Sequence, residues 1–246
     1  MNRMNRNKFI LIFIILVVPL KGYSSQGEPE KSNYEDSVIH FMTLPESINI
    51  WKTRTSVSVL FSQLPFDWVE TAVEVPLFQV NNKFRLPAGF TLESRFQTII
   101  VSNQMRVGPH WNYKTGKFSF GAGFDTEFMF GRMNIAGFNN NCRGWSMSPT
   151  FMAGYRLKNI ALSLNGEVTF INSLKMTSGN EEISHSRNRF SGISVSLFIE
   201  QPLWKDNMMI LGFINNFQEF YFPAWPVFST FNRQYYIPQF YVGIVL

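Results

Sequence analysis

Every second residue from Phe118 to Phe130 reads Phe118, Phe120, Ala122, Phe124, Thr126, Phe128, Phe130, and between them lie Ser119, Gly121, Gly123, Asp125, Glu127 and Met129. Successive side chains of an extended chain point to opposite faces, so the segment is a strand with an aromatic wall on one side and small or charged groups on the other. It is longer than the roughly five or six residues of an ordinary soluble strand. It spans the ~9–11 tilted residues with which a strand crosses a bilayer. One such strand also suits a soluble sandwich, so the weight falls on recurrence.

The alternation recurs along most of the chain. Trp51, Thr53, Thr55, Val57, Val59 and Phe61 share a face, with Lys52, Arg54, Ser56 and Ser58 opposite. Val69 to Leu77 places its odd positions on the apolar face, against Glu70, Ala72 and Glu74. Asn81-Asn82 reads as a tight turn, since Asn tolerates left-handed backbone angles. Phe84 to Ile100 then follows as one apolar-faced strand backed by Glu93, Arg95 and Gln97. Further strands are expected over Met105–Tyr113, Phe118–Phe130, Phe151–Leu157, Ile160–Phe170, Ile193–Ile199, Met208–Phe220 and Tyr236–Leu246.

Short connections at Asn81, Lys114, Lys158 and Pro202 alternate with long ones over 132–144, 172–188 and 221–232. Transmembrane barrels have short turns at one end, longer loops at the other, and an even strand number. The expected fold is all-β: an antiparallel up-and-down transmembrane β-barrel of about ten strands, within a range of about eight to twelve. Tyr241-Val242-Gly243-Ile244-Val245-Leu246 resembles the C-terminal assembly signal of bacterial outer-membrane barrels, a Gly followed by alternating apolar residues. Those proteins most often finish on an aromatic residue, where this chain has Leu246. The resemblance is to a structural class and implies outer-membrane lipid and the barrel assembly machinery as partners.

The N-terminus reads as a cleaved secretory signal over 1–24, with Arg3, Arg6 and Lys8 before an apolar run from Phe9 to Leu20 and small residues at Gly22 and Ser24. That run is short of the ~20 residues of a spanning helix. A polar segment over 25–48 and a barrel over 49–246 complete the organisation. The leader holds Arg3, Arg6, Lys8 and Lys21, so 22 basic residues less these 4 leave 18 against 17 acidic. The near-neutral remainder removes the case for nucleic acid that the overall +5 would raise. Cys142 is the single cysteine, which excludes an internal disulfide, and its polar surroundings read as an incidental loop.

With the apolar set facing lipid, Arg54, Glu70, Glu93, Arg95, Arg106, Asp125, Glu127, Arg156 and Glu167 line the lumen. About eight strands just enclose their own side chains, so a barrel of this size is expected to fill with paired charges. A narrow passive channel for small polar solutes or ions is the alternative. None of His40, His110 and His185 is followed by Ser two positions on, as in outer-membrane phospholipases and lipid A deacylases, and no Asp-x-His element of the omptin type occurs. His185 between Ser184 and Ser186 lacks a rigid frame for catalysis. No metal-ligand spacing appears, and no cofactor is expected. The functional reading is therefore a structural or binding barrel acting through its external loops. Phe222, Trp225, Phe228 and Phe231 are the candidate contacts there, unless they form an aromatic belt.

Overall fold

The computed structural model describes residues 41–46, 52–65, 74–135, 138–204, 207–226 and 233–246. The expected signal segment, Glu70, Phe228 and Phe231 lie outside the described residues. Ten strands are described: β1 Thr53–Gln63, β2 Glu74–Arg85, β3 Phe90–Thr98, β4 Ser102–Thr115, β5 Phe118–Ile135, β6 Phe138–Leu157, β7 Ile160–Ser178, β8 Glu181–Trp204, β9 Asn207–Gln218 and β10 Tyr235–Val245. Each pairs antiparallel with its chain neighbour, and β1 closes on β10 with Ser56 opposite Val245 and Ser62 opposite Gln239. Closure leaves the barrel wall without an open edge, the condition for strands to stand in hydrocarbon.

Alternation sorts the wall into two faces. Phe118, Phe120, Phe124, Phe128, Phe130, Phe151, Leu164, Leu197 and Phe213 are all exposed on the outside. Ser119, Asp125, Glu127, Ser148, Ser163 and Glu200 are buried inside. A continuous apolar band far exceeds what a monomeric soluble surface shows and is what lipid-facing walls carry.

The connections correct several sequence expectations. Asn81 and Asn82 lie within β2 rather than at a turn. Asn81 Nδ2 donates to Ser56 Oγ (3.1 Å) and to Tyr241 OH (3.2 Å), and Asn82 Oδ1 accepts from Thr55 Oγ1 at 2.7 Å. Both amides are thus satisfied across strands. The turn comes at Pro87–Gly89, where Ala88 and Gly89 take positive φ, so the expected single strand from Phe84 to Ile100 is divided. Val75 and Leu77 were expected on the outer face, but Phe78 is the exposed residue and Leu77 points inward at 1% exposure. Leu77 there joins an inner apolar cluster with Leu60, Phe198 and Tyr241.

The polar segments 132–144 and 172–188 are not loops. β5 continues to Ile135 opposite Phe138, and β7 to Ser178 opposite Glu181. By contrast, β4 leaves β5 at Gly131 and β9 leaves β8 at Gly192. β5 to β8 therefore rise beyond the rim as a four-stranded sheet. Its inner face is apolar, with Cys142, Leu174 and Met176 buried beside Met129 and Ile171. That burial makes Cys142 a core residue, not a loop one. Gly116 at φ 60 makes the β4–β5 turn, a backbone region that β-carbon-bearing residues avoid. The start of β1 and the end of β10 share one end of the barrel with the β2–β3, β4–β5, β6–β7 and β8–β9 connections, here the turn end; the sheet rises from the other, the hairpin end.

Candidate functional site

The site is the lumen, and three groups of residues occupy it. At the turn end the segment Phe41–Glu46 runs inside the wall, with Phe41 and Leu44 fully buried and Glu46 at 1% exposure. Glu200 of β8, itself fully buried, holds it by three hydrogen bonds. Its carboxylate accepts from Met42 N (2.9 Å), Thr43 N (2.8 Å) and Thr43 Oγ1 (3.0 Å). Lys83 Nζ donates to Leu44 O at 3.1 Å, and the Arg85 guanidinium reaches Phe41 O at 3.4 Å. The Glu46 carboxylate pairs with Arg156 (2.9 Å) and Lys114 (3.3 Å). Arg156 also lies over the Phe41 ring, 4.8 Å from its centroid. These amides, carbonyls and the Glu46 carboxylate of the inserted chain thus meet partners supplied by the wall.

Midway, Arg106 of β4 is the hub. Its Nε and NH2 donate to Glu127 Oε2 at 3.0 and 2.8 Å. NH1 and NH2 donate to the two oxygens of Glu167 at 2.5 Å each, a bidentate pair that only a guanidinium makes. Asp125 stands 3.9 Å from NH1 and accepts or shares a hydrogen bond with His110 Nε2 at 2.9 Å. His110 Nδ1 is buried and has no hydrogen-bond partner among the described residues. Lys83 and Glu93 pair at 2.9 Å. Arg95 stands in register between Asn81 of β2 and Arg106 of β4, its Nε without a hydrogen-bond partner among the described residues.

At the hairpin end, the connection after β9 folds inward. Tyr221, Phe222, Ala224 and Trp225 are buried. Tyr221 OH donates to Ser62 Oγ at 2.6 Å and accepts from Gln239 Nε2 at 2.9 Å, while Ser102 Oγ donates to Pro223 O at 3.2 Å. The Trp225 indole lies against Gly131, where any β-carbon would strike it. Between the two inserted segments a polar chamber of about 210 Å³ remains, lined by Lys83, Glu93, Arg95, Arg106 and Glu167 among others.

The structure brings Arg106, Asp125, Glu127 and Glu167 together, and places Glu93 and Arg156 in separate pairs with Lys83 and Glu46. Arg54 lies on β1 opposite Lys83. Phe222 and Trp225, expected as exposed loop contacts, are instead buried at 3% and 4% exposure, because the loop turns into the mouth onto Met129, Cys142 and Leu174. Sequence reasoning missed Lys83 and Arg85, since a turn at Asn81-Asn82 ends the strand before them. It also missed Glu46, which carries no periodic signal of its own. Their alternation with Phe84 was the signal that could have recovered the first two.

No protein-family model matches the chain, and no curated protein matches it. Among solved structures it is similar to Neisserial surface protein A, with 8% identity over 79% of this chain and 96% of that one, TM-score 0.37. It is similar to the KdgM porin at 16% identity, 77% and 97% coverage and TM-score 0.37. The translocator domain of the autotransporter NalP from Neisseria meningitidis gives 8% identity, 80% and 88% coverage and TM-score 0.37. Such scores assign no role; barrel closure stands on the chain's own strand pairing.

Proposed function

We propose that this chain is an integral outer-membrane barrel that is closed to free passage and presents the β5–β8 sheet outside the cell. The carrying observation is that chain fills the lumen from both ends, Phe41–Glu46 at one and Tyr221–Trp225 at the other, around the Arg106 network. A solute crossing the barrel would have to displace both segments. The orientation rests on the start of β1 and the end of β10 lying at the end away from the rising sheet, the arrangement in which that end faces the periplasm. The rising sheet then stands on the surface side, where a rigid scaffold can display residues to a partner.

The refolded protein is expected to be silent in a planar lipid bilayer. A steady single-channel current from the parent protein would replace this reading with that of a narrow channel. A cysteine-reactive label on an Asn180→Cys variant should react on intact cells if the sheet faces outward. Labelling only after the outer membrane is opened would reverse the orientation.

A further inference from the structure

We infer that the outer face of the rising sheet binds the phosphates of an anionic lipid that carries more than one phosphate, in the leaflet surrounding the hairpin end. The inference rests on the membrane-barrel reading and adds a site to it.

On β5 the outward residues from Phe118 to Phe130 include no charge. The outward set of β6 from Leu157 to Trp145 includes none, and neither does that of β7 from Ile160 to Phe170. Beyond that wall the outward positions carry Arg132 on β5, Arg143 on β6 and Arg187 on β8, with Lys175 on β7 one outward position above Ser173. In register, Phe130 faces Arg143, Arg143 faces Lys175, and Trp145 faces Ser173, which faces Arg187. Arg143 and Lys175 are thus lateral neighbours, with Arg132 and Arg187 one register row to either side, above an aromatic rim of Phe130, Trp145, Phe170 and Phe190.

The height fits a headgroup. Twelve residue steps from Phe118 to Phe130 at about 3.3 Å, tilted by about 40°, give an apolar wall of about 30 Å. Arg132 and Arg143 therefore lie just beyond the hydrocarbon, at the level of lipid phosphates. From β5 to β8 is three strand spacings, about 14 Å, which suits two phosphates better than one.

Counter-charge within the protein is small. Glu182 pairs with Lys175 and stands 3.3 Å from His185 Nδ1, and Arg187 Nε donates to His185 Nε2 at 2.9 Å. Among the described residues Arg132, Arg143 and Arg187 make no ion pair. Among the described residues outside these four strands, the exposed base at this end is Arg233, whose guanidinium lies 5.0 Å over the Tyr235 ring. The other strands reach this level with Gln63, Pro76, Thr98, Asn103, Phe217 and Tyr236, none of them basic.

The test uses the full chain in phosphatidylcholine nanodiscs titrated with bisphosphorylated lipid A, binding being read by native mass spectrometry. At about fivefold per basic residue at a membrane surface, Arg132→Gln/Arg143→Gln should weaken lipid A binding about 25-fold. Lys117→Gln/Lys158→Gln at the turn end should leave it unchanged. Equal loss from both pairs would reduce the effect to general charge and overturn the site, as would no loss from Arg132→Gln/Arg143→Gln. Inorganic phosphate competing at millimolar concentration would also overturn it, by showing a free-phosphate site. Heat-modifiable mobility on gels must persist in every variant. A parent protein that leaves membranes on carbonate washing would instead overturn the barrel reading beneath.

Discussion

Glu200→Ala should release the segment Met42–Glu46 from the lumen without unfolding the barrel. The buried carboxylate accepts both the Met42 and Thr43 amides and the Thr43 hydroxyl, at 2.8 to 3.0 Å. Its removal leaves two buried backbone donors without an acceptor, at about 1–3 kcal/mol each. Of the remaining anchors, Lys83 on Leu44 O and Arg156 on Glu46 lie toward the other end of the segment, and Arg85 on Phe41 O and Ser163 on Thr43 Oγ1 do not accept from the Met42 or Thr43 amides. A net loss of about 3–4 kcal/mol shifts the local opening equilibrium by roughly two to three decades.

Amide hydrogen exchange of the refolded protein in detergent reads this directly. Protection at Met42 and Thr43 should fall by that factor while the β5–β8 amides keep theirs. Glu200→Gln retains one acceptor oxygen and should fall less. Parental exchange rates at Met42 and Thr43 in Glu200→Ala would refute the reasoning. Conductance is a second discriminator, because the two inserted segments stand in series. Glu200→Ala alone should stay silent, and current should require a second opening at the hairpin end.

Arg106→Ala strands Glu127 and Glu167 without their shared cation. The cost of breaking such a buried arrangement is about 3–5 kcal/mol, seen as a clear drop in thermal unfolding temperature in detergent; a parental melt would mean that the network is hydrated and slack. Phe124→Arg places a guanidinium near mid-membrane on the outer wall, at about 2–4 kcal/mol. The folded, heat-modifiable fraction should shrink, and an unchanged fraction would contradict the facing of β5. Gly131→Leu forces Trp225 out of the mouth, so tryptophan emission should shift to the red, whereas an unmoved spectrum would mean that the indole does not rest on Gly131.

The barrel was legible because its wall obeys a period of two, and that signal survives wherever one face meets lipid. Phe118 to Phe130 shows it in full. It fails where both faces carry mixed residues, as in β2, where Asn81-Asn82 imitates a turn while Pro87-Ala88-Gly89 makes the real one. Above the membrane the outer face becomes polar, so β5 to β8 lose their apolar wall and read as loops. Only the inward Cys142, Leu174 and Met176 keep the alternation alive there. The charged lumen set was readable as inward-facing residues, but its partition was not. Which carboxylate meets Arg106 depends on barrel closure, and Glu46 reaches Arg156 across 110 residues of sequence.

Strand number explains why the lumen is filled by chain as well as by side chains. About eight strands give an interior that wall side chains can fill, and sixteen or more leave an aqueous channel. Ten strands exceed the first case and fall well short of the second. The excess width here is taken up at the turn end by Phe41 and Leu44, and at the hairpin end by Phe222 and Trp225. The wall is cut to receive them: a β-carbon at Gly121 would come within 2.7 Å of Pro45 Cβ, one at Gly154 would strike Leu44, and one at Gly131 would strike Trp225. Midway, where neither segment reaches, the wall turns to Arg106, Asp125, Glu127 and Glu167, long or charged groups that bridge the gap themselves. The inner face of β5 thus runs from Gly121 against Pro45, through Asp125 and Glu127 at mid-height, to Met129 and then Gly131 against Trp225. That order records where inserted chain replaces side chain as the filling of the barrel.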